Sequence, residues 1–224
     1  MALPFLAPLF MHLGLTPLGN LIYMLYSFTC HQLPQRSFFL FGPELMLSLS
    51  DIQSVWQNTN DPLVLRQFTG SPELGWKVAW SDRMVWMYTS IPIFAVLWAV
   101  TRPRSNHPRP KFVPVSVFLA LLLPMAVDGS SHFISDLAGI GNGFRDSNAW
   151  LAQLTNHAFA TSFYAGDGLG SFNFLMRALT GIIFGFAVVW FGYPYLEDVF
   201  SKSKSETGLP PSPPANLSNI DQTG

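Results

Sequence analysis

Four predominantly apolar stretches of this chain carry no Lys, Arg, Asp or Glu: residues 1–35, 84–101, 112–127 and 178–196. Nothing else in the sequence narrows its fold as much. A helix crossing the roughly 30 Å hydrocarbon core of a bilayer needs about 20 mostly apolar residues, each adding about 1.5 Å, and it satisfies its own backbone hydrogen bonds. Three of the stretches approach that length. The first is too long for one straight span, and Gly14, Pro17 and Gly19 supply its break. The chain therefore reads as an all-α integral membrane helical bundle with four transmembrane helices, at about 16–32, 84–101, 112–128 and 177–196. Only 11% of the 224 residues are charged, against roughly 25% in an ordinary soluble domain.

Read in order, residues 3–13 form an interfacial or re-entrant piece. Thr16 caps the first span with Pro17 at its first position, and Pro34 closes it. The outer loop 33–83 is mixed and soluble in character, with a helix start at Asp61-Pro62 and a turn at Thr69-Gly70-Ser71-Pro72. The connection 102–111 holds Arg102, Arg104, Arg109 and Lys111 and no acid, so the positive-inside rule puts it in the cytoplasm. The second outer loop, 129–176, contains a surface helix capped by Ser147, with Trp150, Leu151, Leu154, Ala158 and Phe159 on one side. Ala178, Gly181, Gly185 and Gly192 recur at helical spacing in the fourth span and offer a close-packing face, through which the protein could form an oligomer. Residues 201–224, rich in Ser, Pro and Asn, read as a disordered cytoplasmic tail. Four spans put both the N- and C-termini in the cytoplasm, and the absence of Lys or Arg before Arg36 argues against a cleaved signal peptide.

Formal net charge is −1, so no basic field points to nucleic acid, and the lipid bilayer is the expected partner. The single cysteine, Cys30, rules out an intramolecular disulfide. Alternating span directions bring Cys30-His31, Asp82-Arg83, Asp128 and Arg177 to one membrane face. Charge held at membrane depth needs partners. Arg36, Arg83 and Arg177, with Asp128, form a candidate ligand-binding set, since guanidinium matches the paired oxygens of a phosphate or carboxylate head group. Cys30, His31, Asp128 and His132 supply ligand types that zinc prefers, with Asp128 and His132 one turn apart if the third helix continues past Gly129. Pairing of Asp128 with Arg83 or Arg177 is preferred over that metal reading, because adjacent Cys-His is a poor chelate. Cys30 as a nucleophile would need His132 as its base, since neighbouring helical side chains point about 100° apart.

The motif C-H-x-x-P-x-R-S-F followed by Gly is carried by Cys30, His31, Pro34, Arg36, Ser37, Phe38 and Gly42. Asp128-Gly129 closes an apolar helix, and Asn173, Arg177, Thr180, Gly181 and Gly185 form an N-x-x-x-R-x-x-T-G-x-x-x-G run. In these features the chain resembles a family of bacterial multi-pass membrane proteins known only as a domain of unknown function. It departs from that family at Ser81-Asp82-Arg83-Met84-Val85-Trp86, where C-x-R-C-T-G is common, and at His132, where Gln is common. The resemblance implies a multi-pass protein of the bacterial cytoplasmic membrane and no activity. The expected function is binding or processing of an anionic small molecule or lipid-like compound at the outer face; the alternative is a structural or assembly subunit of a membrane complex. Catalytic residues are not assigned.

Overall fold

A computed structural model describes residues 1–101 and 112–206. The basic loop 102–111 and the tail beyond residue 206 lie outside the described residues. The chain opens with α1 (Leu3–His12) and α2 (Thr16–Tyr26), followed by a single 3-10 turn at Pro34–Arg36 and strand β1 (Ser37–Leu40). Two short helices, α3 (Leu49–Val55) and α4 (Pro62–Leu65), lead to β2 (Gly70–Ser71) and β3 (Gly75–Ser81), and β3 runs directly into α5 (Asp82–Thr101). Then come α6 (Val115–Asp136), the short α7 (Phe144–Ser147), α8 (Ala149–Leu154) and α9 (Thr161–Tyr164), and the long α10 (Phe172–Glu206).

Three helices among the described residues, α5, α6 and α10, are long and apolar enough to cross a membrane. The expected first span is different. Its helix, α2, has only 11 residues, about 16 Å at the usual rise, and folds back on α1 as a hairpin. The chain turns after Tyr26, whose carbonyl accepts hydrogen bonds from the backbone N–H groups of Thr29 and Cys30. The hydroxyls of Ser27 and Thr29 also bond back to Met24 and Tyr26. These contacts satisfy the helix end without Pro34, which instead opens the 3-10 turn.

α10 is the central long helix and packs along both α5 and α6. Against α5 the contact is aromatic, with Phe94, Trp98, Phe186 and Trp190 edge to face. Against α6, Phe118 stacks on Phe191 at 4.2 Å between ring centroids. Glycines set how near α5 comes. A Cβ at Gly185 would lie 3.0 Å from Ser90 Cβ and 3.1 Å from the Ile91 nitrogen, and one at Gly181 would lie 3.0 Å from Trp86 Cβ. At Gly181 and Gly185 the small-residue face expected to serve an oligomer is therefore filled by α5 of the same chain. α10 also continues through Glu206, so the first residues assigned to the tail are helical.

The all-α expectation misses a three-stranded antiparallel sheet, ordered β1-β3-β2. Phe39 pairs with Lys77 and Leu40 with Trp76, with an irregularity between Ser37 and Phe39. Its strands are short, and the central one buries Lys77 completely, so the sequence Gly75-Trp76-Lys77-Val78-Ala79-Trp80-Ser81 lacks the apolar alternation by which a half-buried strand is recognised. One core, with Phe39, Leu47, Ile52, Leu65, Phe68 and Ile140, holds the sheet to α3 and α4. A second, with Phe38, Val78, Trp80, Val85 and Phe174, seats it on the ends of α5 and α10. The start of α4 follows expectation: Asp61 accepts from the Leu63 N–H, and Pro62 occupies the first turn.

Candidate functional site

The polar ends of the long helices meet beneath the sheet. Arg36, at the close of the 3-10 turn, donates from both terminal nitrogens to Asp136, at 2.6 and 2.8 Å, and from Nε to Asp167 at 2.7 Å. Arg177, one turn into α10, donates from Nε to both oxygens of Asp82, at 2.9 and 2.8 Å. Its other nitrogens reach Asp167, one to the carboxylate at 2.6 Å and one to the backbone carbonyl at 2.8 Å. Asp128 accepts from Arg83 at 2.7 Å on one oxygen and from Arg145 at 2.7 Å on the other. Four arginines (36, 83, 145, 177) thus face four aspartates (82, 128, 136, 167), and every arginine has a carboxylate within 2.7–2.8 Å or closer.

Local sequence explains why these side chains meet. α6 continues for two turns past Asp128-Gly129, because a single interior glycine weakens a helix by only about 1 kcal/mol. Asp128, His132 and Asp136 then recur every four residues on one face. Gly129 has a positive use: a Cβ there would lie 2.9 Å from Arg83 Nη1, so its absence lets the guanidinium lie against the α6 backbone. Asn148, with φ +42°, folds the 137–171 loop inward. Its side-chain amide bonds the carbonyls of Arg145 and Tyr164, and Asn173 on α10 also bonds the Arg145 carbonyl at 2.7 Å. These contacts hold Arg145 in place, and the Asn173 amide, which also donates to the Gly166 carbonyl at 2.9 Å, fixes the backbone beside Asp167.

Burial alone would push the Asp167 carboxyl up, but the guanidinium groups of Arg36 and Arg177 outweigh it and hold the group well below the usual carboxylate range. Arg36 is the reciprocal case, since burial works against its charge and Asp167 and Asp136 more than restore it. Lys77 has no carboxylate partner among the described residues. Its ammonium, fully buried, donates to the carbonyls of Gln32 at 2.9 Å and Arg66 at 2.8 Å, and burial lowers its pKa to about 7.

A cavity of about 400 Å³ opens beside this network. Arg36, Asp82, Arg83, Asp136 and Arg177 form its charged side, Cys30, His31 and His132 are also in its wall, and Leu33, Met84, Phe133 and Leu137 line it with apolar atoms. The structure brings Arg36, Arg83 and Arg177 to one cavity, with Asp128 immediately behind. It pairs Asp128 with Arg83, and not with Arg177. Asp82, Asp136, Arg145 and Asp167 belong to the network without having been named as site residues. The periodic polar face of α6 was the available signal for Asp136; Arg145 and Asp167 come from irregular loops and had none.

The residues proposed for zinc do not assemble into a ligand set. No group of three or more His, Cys, Asp or Glu among the described residues is placed to hold a metal ion. Both Asp128 oxygens are taken by guanidinium groups, and His132 Nε2 lies 3.1 Å from Arg145 Nη2. Because Arg can only donate, that nitrogen accepts and the ring proton sits on Nδ1, which is buried without a hydrogen-bond partner among the described residues. With Nε2 engaged, His132 is not poised as a base for Cys30. Cys30 Sγ itself accepts long contacts, each 3.4 Å, from the backbone N–H groups of Gln32 and Ser81.

Over 207 residues, the chain is 27% identical to an uncharacterized protein of Methanocaldococcus jannaschii, the alignment covering 89% of this chain and 88% of the relative. No family model and no solved structure matches the chain.

Proposed function

We propose that this protein is a membrane-embedded binding protein for a lipid-like molecule, held with its polar part against the arginine–aspartate network and its apolar part along α6. The observation that carries this reading is the two-sided character of the cavity. Part of its wall is charged, while Phe133 near the end of α6 and Leu137 just after that helix are largely exposed apolar residues of the same wall. A hydrophilic ligand would have no use for such a lip, and a purely apolar one would leave the arginines dry. The network is charge-balanced, so the ligand is anchored by hydrogen bonds more than by net attraction. No reaction is assigned.

The proposed setting is the cytoplasmic membrane, with three crossings by α5, α6 and α10, and the likeness to the bacterial family remains part of this proposal. The basic loop 102–111 favours a cytoplasmic position for the ends of α5 and α6 that it joins. The sheet, the cavity and the α1–α2 hairpin then face outward, and the chain after α10 lies inside. Three crossings give the two ends of the chain opposite sides, unlike the four first expected.

Native mass spectrometry and lipid extraction of the purified protein test the reading, comparing the parent with Met84→Trp and Leu137→Trp, which fill the cavity wall. The parent should retain about one amphiphile per chain that both variants lose. Equal, diffuse lipid content in all three would refute it. Such a result would favour the second reading, a structural subunit whose ion pairs only lock helices together, which the full pairing of all four arginines independently supports.

A further inference from the structure

The α1–α2 hairpin leaves an apolar face that none of the described residues covers. Leu18, Leu21 and Leu25 share one side of α2, and Phe28 just beyond is 85% exposed. Residues 1–35 contain no Lys, Arg, Asp or Glu, and the charge that reaches the end of α2 comes from Arg66, whose Nη2 donates to the Ser27 carbonyl at 2.9 Å, a placement suited to the membrane interface. Its level is set by packing. Phe5 of α1 and Tyr26 of α2 pack against the cluster built on Trp80, together with Met84 and Tyr88 from the first two turns of α5. Trp80 stacks on Tyr88 at 4.8 Å, and Phe5 and Tyr26 meet Trp80 edge to face. The open end of the hairpin is therefore level with the beginning of a membrane-length helix and continuous with its apolar surface.

We infer that the α1–α2 hairpin is a monotopic anchor: α2 lies in one leaflet without crossing, with Leu21, Leu25 and Phe28 among the acyl chains beside α5. Eleven residues are too few to cross and enough to lie in the interface. The segment that leaves this anchor, Thr29 to Leu33, forms part of the cavity wall. An anchored α2 end thus puts that wall at the leaflet and opens the cavity sideways to lipid. The anchor stands on its own packing and does not depend on a ligand being bound.

The test places a bimane label on Leu25→Cys and, separately, on Phe28→Cys in the full chain, reconstituted in phosphatidylcholine vesicles with or without dibrominated phosphatidylcholine. Leu123→Cys, on the exposed side of α6, and Ser50→Cys, on exposed α3, are the references, and the parent, whose Cys30 is buried, is the blank. Labels at 25 and 28 should lose as much emission to bromolipid as the label at 123 does, and little to aqueous iodide. Quenching by iodide as strong as at 50 would put the face in water and overturn the inference. Protection from both quenchers would also overturn it, since the face would then be covered by a second copy or another protein. Either failure leaves the retained-amphiphile experiment unaffected.

Discussion

Replacing Asp167 with Asn keeps its shape and removes the one carboxylate shared by Arg36 and Arg177. In the parent, its two oxygens accept at 2.7 Å from Arg36 and 2.6 Å from Arg177, and all three side chains are buried. The substitution takes the network from four positive and four negative groups to one uncompensated positive charge. Removing one member of a buried pair typically costs about 3–5 kcal/mol. Each arginine retains a second carboxylate, Asp136 for Arg36 and Asp82 for Arg177, which places the expected loss at the lower end, about 3 kcal/mol. For a chain of this size that corresponds to a fall in Tm of roughly 6–12 °C, readable by thermal unfolding in detergent micelles. Arg36→Gln in the Asp167→Asn background should cost less than the separate losses added, with a coupling of about 0.5–3 kcal/mol. A Tm within the error of the parent, or strict additivity of the two changes, would show that Asp167 does not bridge the arginines.

Two further outcomes follow from the same geometry. Asp128→Asn should couple to Arg83→Gln by about 0.5–3 kcal/mol in a double-mutant cycle and to Arg177→Gln far more weakly; equal couplings would contradict the pairing described. Lys77 has a folded-state pKa of about 7 against about 10.4 in an unfolded chain. Between these values the unfolded chain holds the proton and the folded one releases it, so stability should rise with pH across that window and be lowest below pH 7. The change is about 5 kcal/mol at most. It is measured as the difference in pH profile between the parent and Lys77→Met, and superimposable profiles would refute it.

The three long apolar helices were legible because their sequences are both apolar and free of charge over nearly 20 residues, and alternation of direction then placed Arg83, Asp128 and Arg177 on one side. The same criterion misled at residues 16–32, where composition says apolar but cannot say whether the chain crosses or turns back. That choice rested on local hydrogen bonds at Tyr26, for which Ser27-Phe28-Thr29 gives no strong signal. The sheet was hidden because Lys77 points into its core. Two members of the network escaped notice for a related reason. Arg145 and Asp167 are positioned by Asn148 and Asn173 through carbonyl contacts within loops, and such contacts leave no periodic pattern to read.

The order in which the network's members leave the ribosome has a consequence for how the protein is made. Once α5 and α6 have been made, Arg83 and Asp128 can meet, but Asp82 must wait for Arg177, which comes only with α10. Until then a carboxylate sits at the head of α5 without its partner, at an insertion cost of about 2.5–3.5 kcal/mol if it is drawn to membrane depth. A chain cut short before α10 carries that defect permanently. The Asp82–Arg177 pair is therefore one that only a chain synthesised as far as α10 can close.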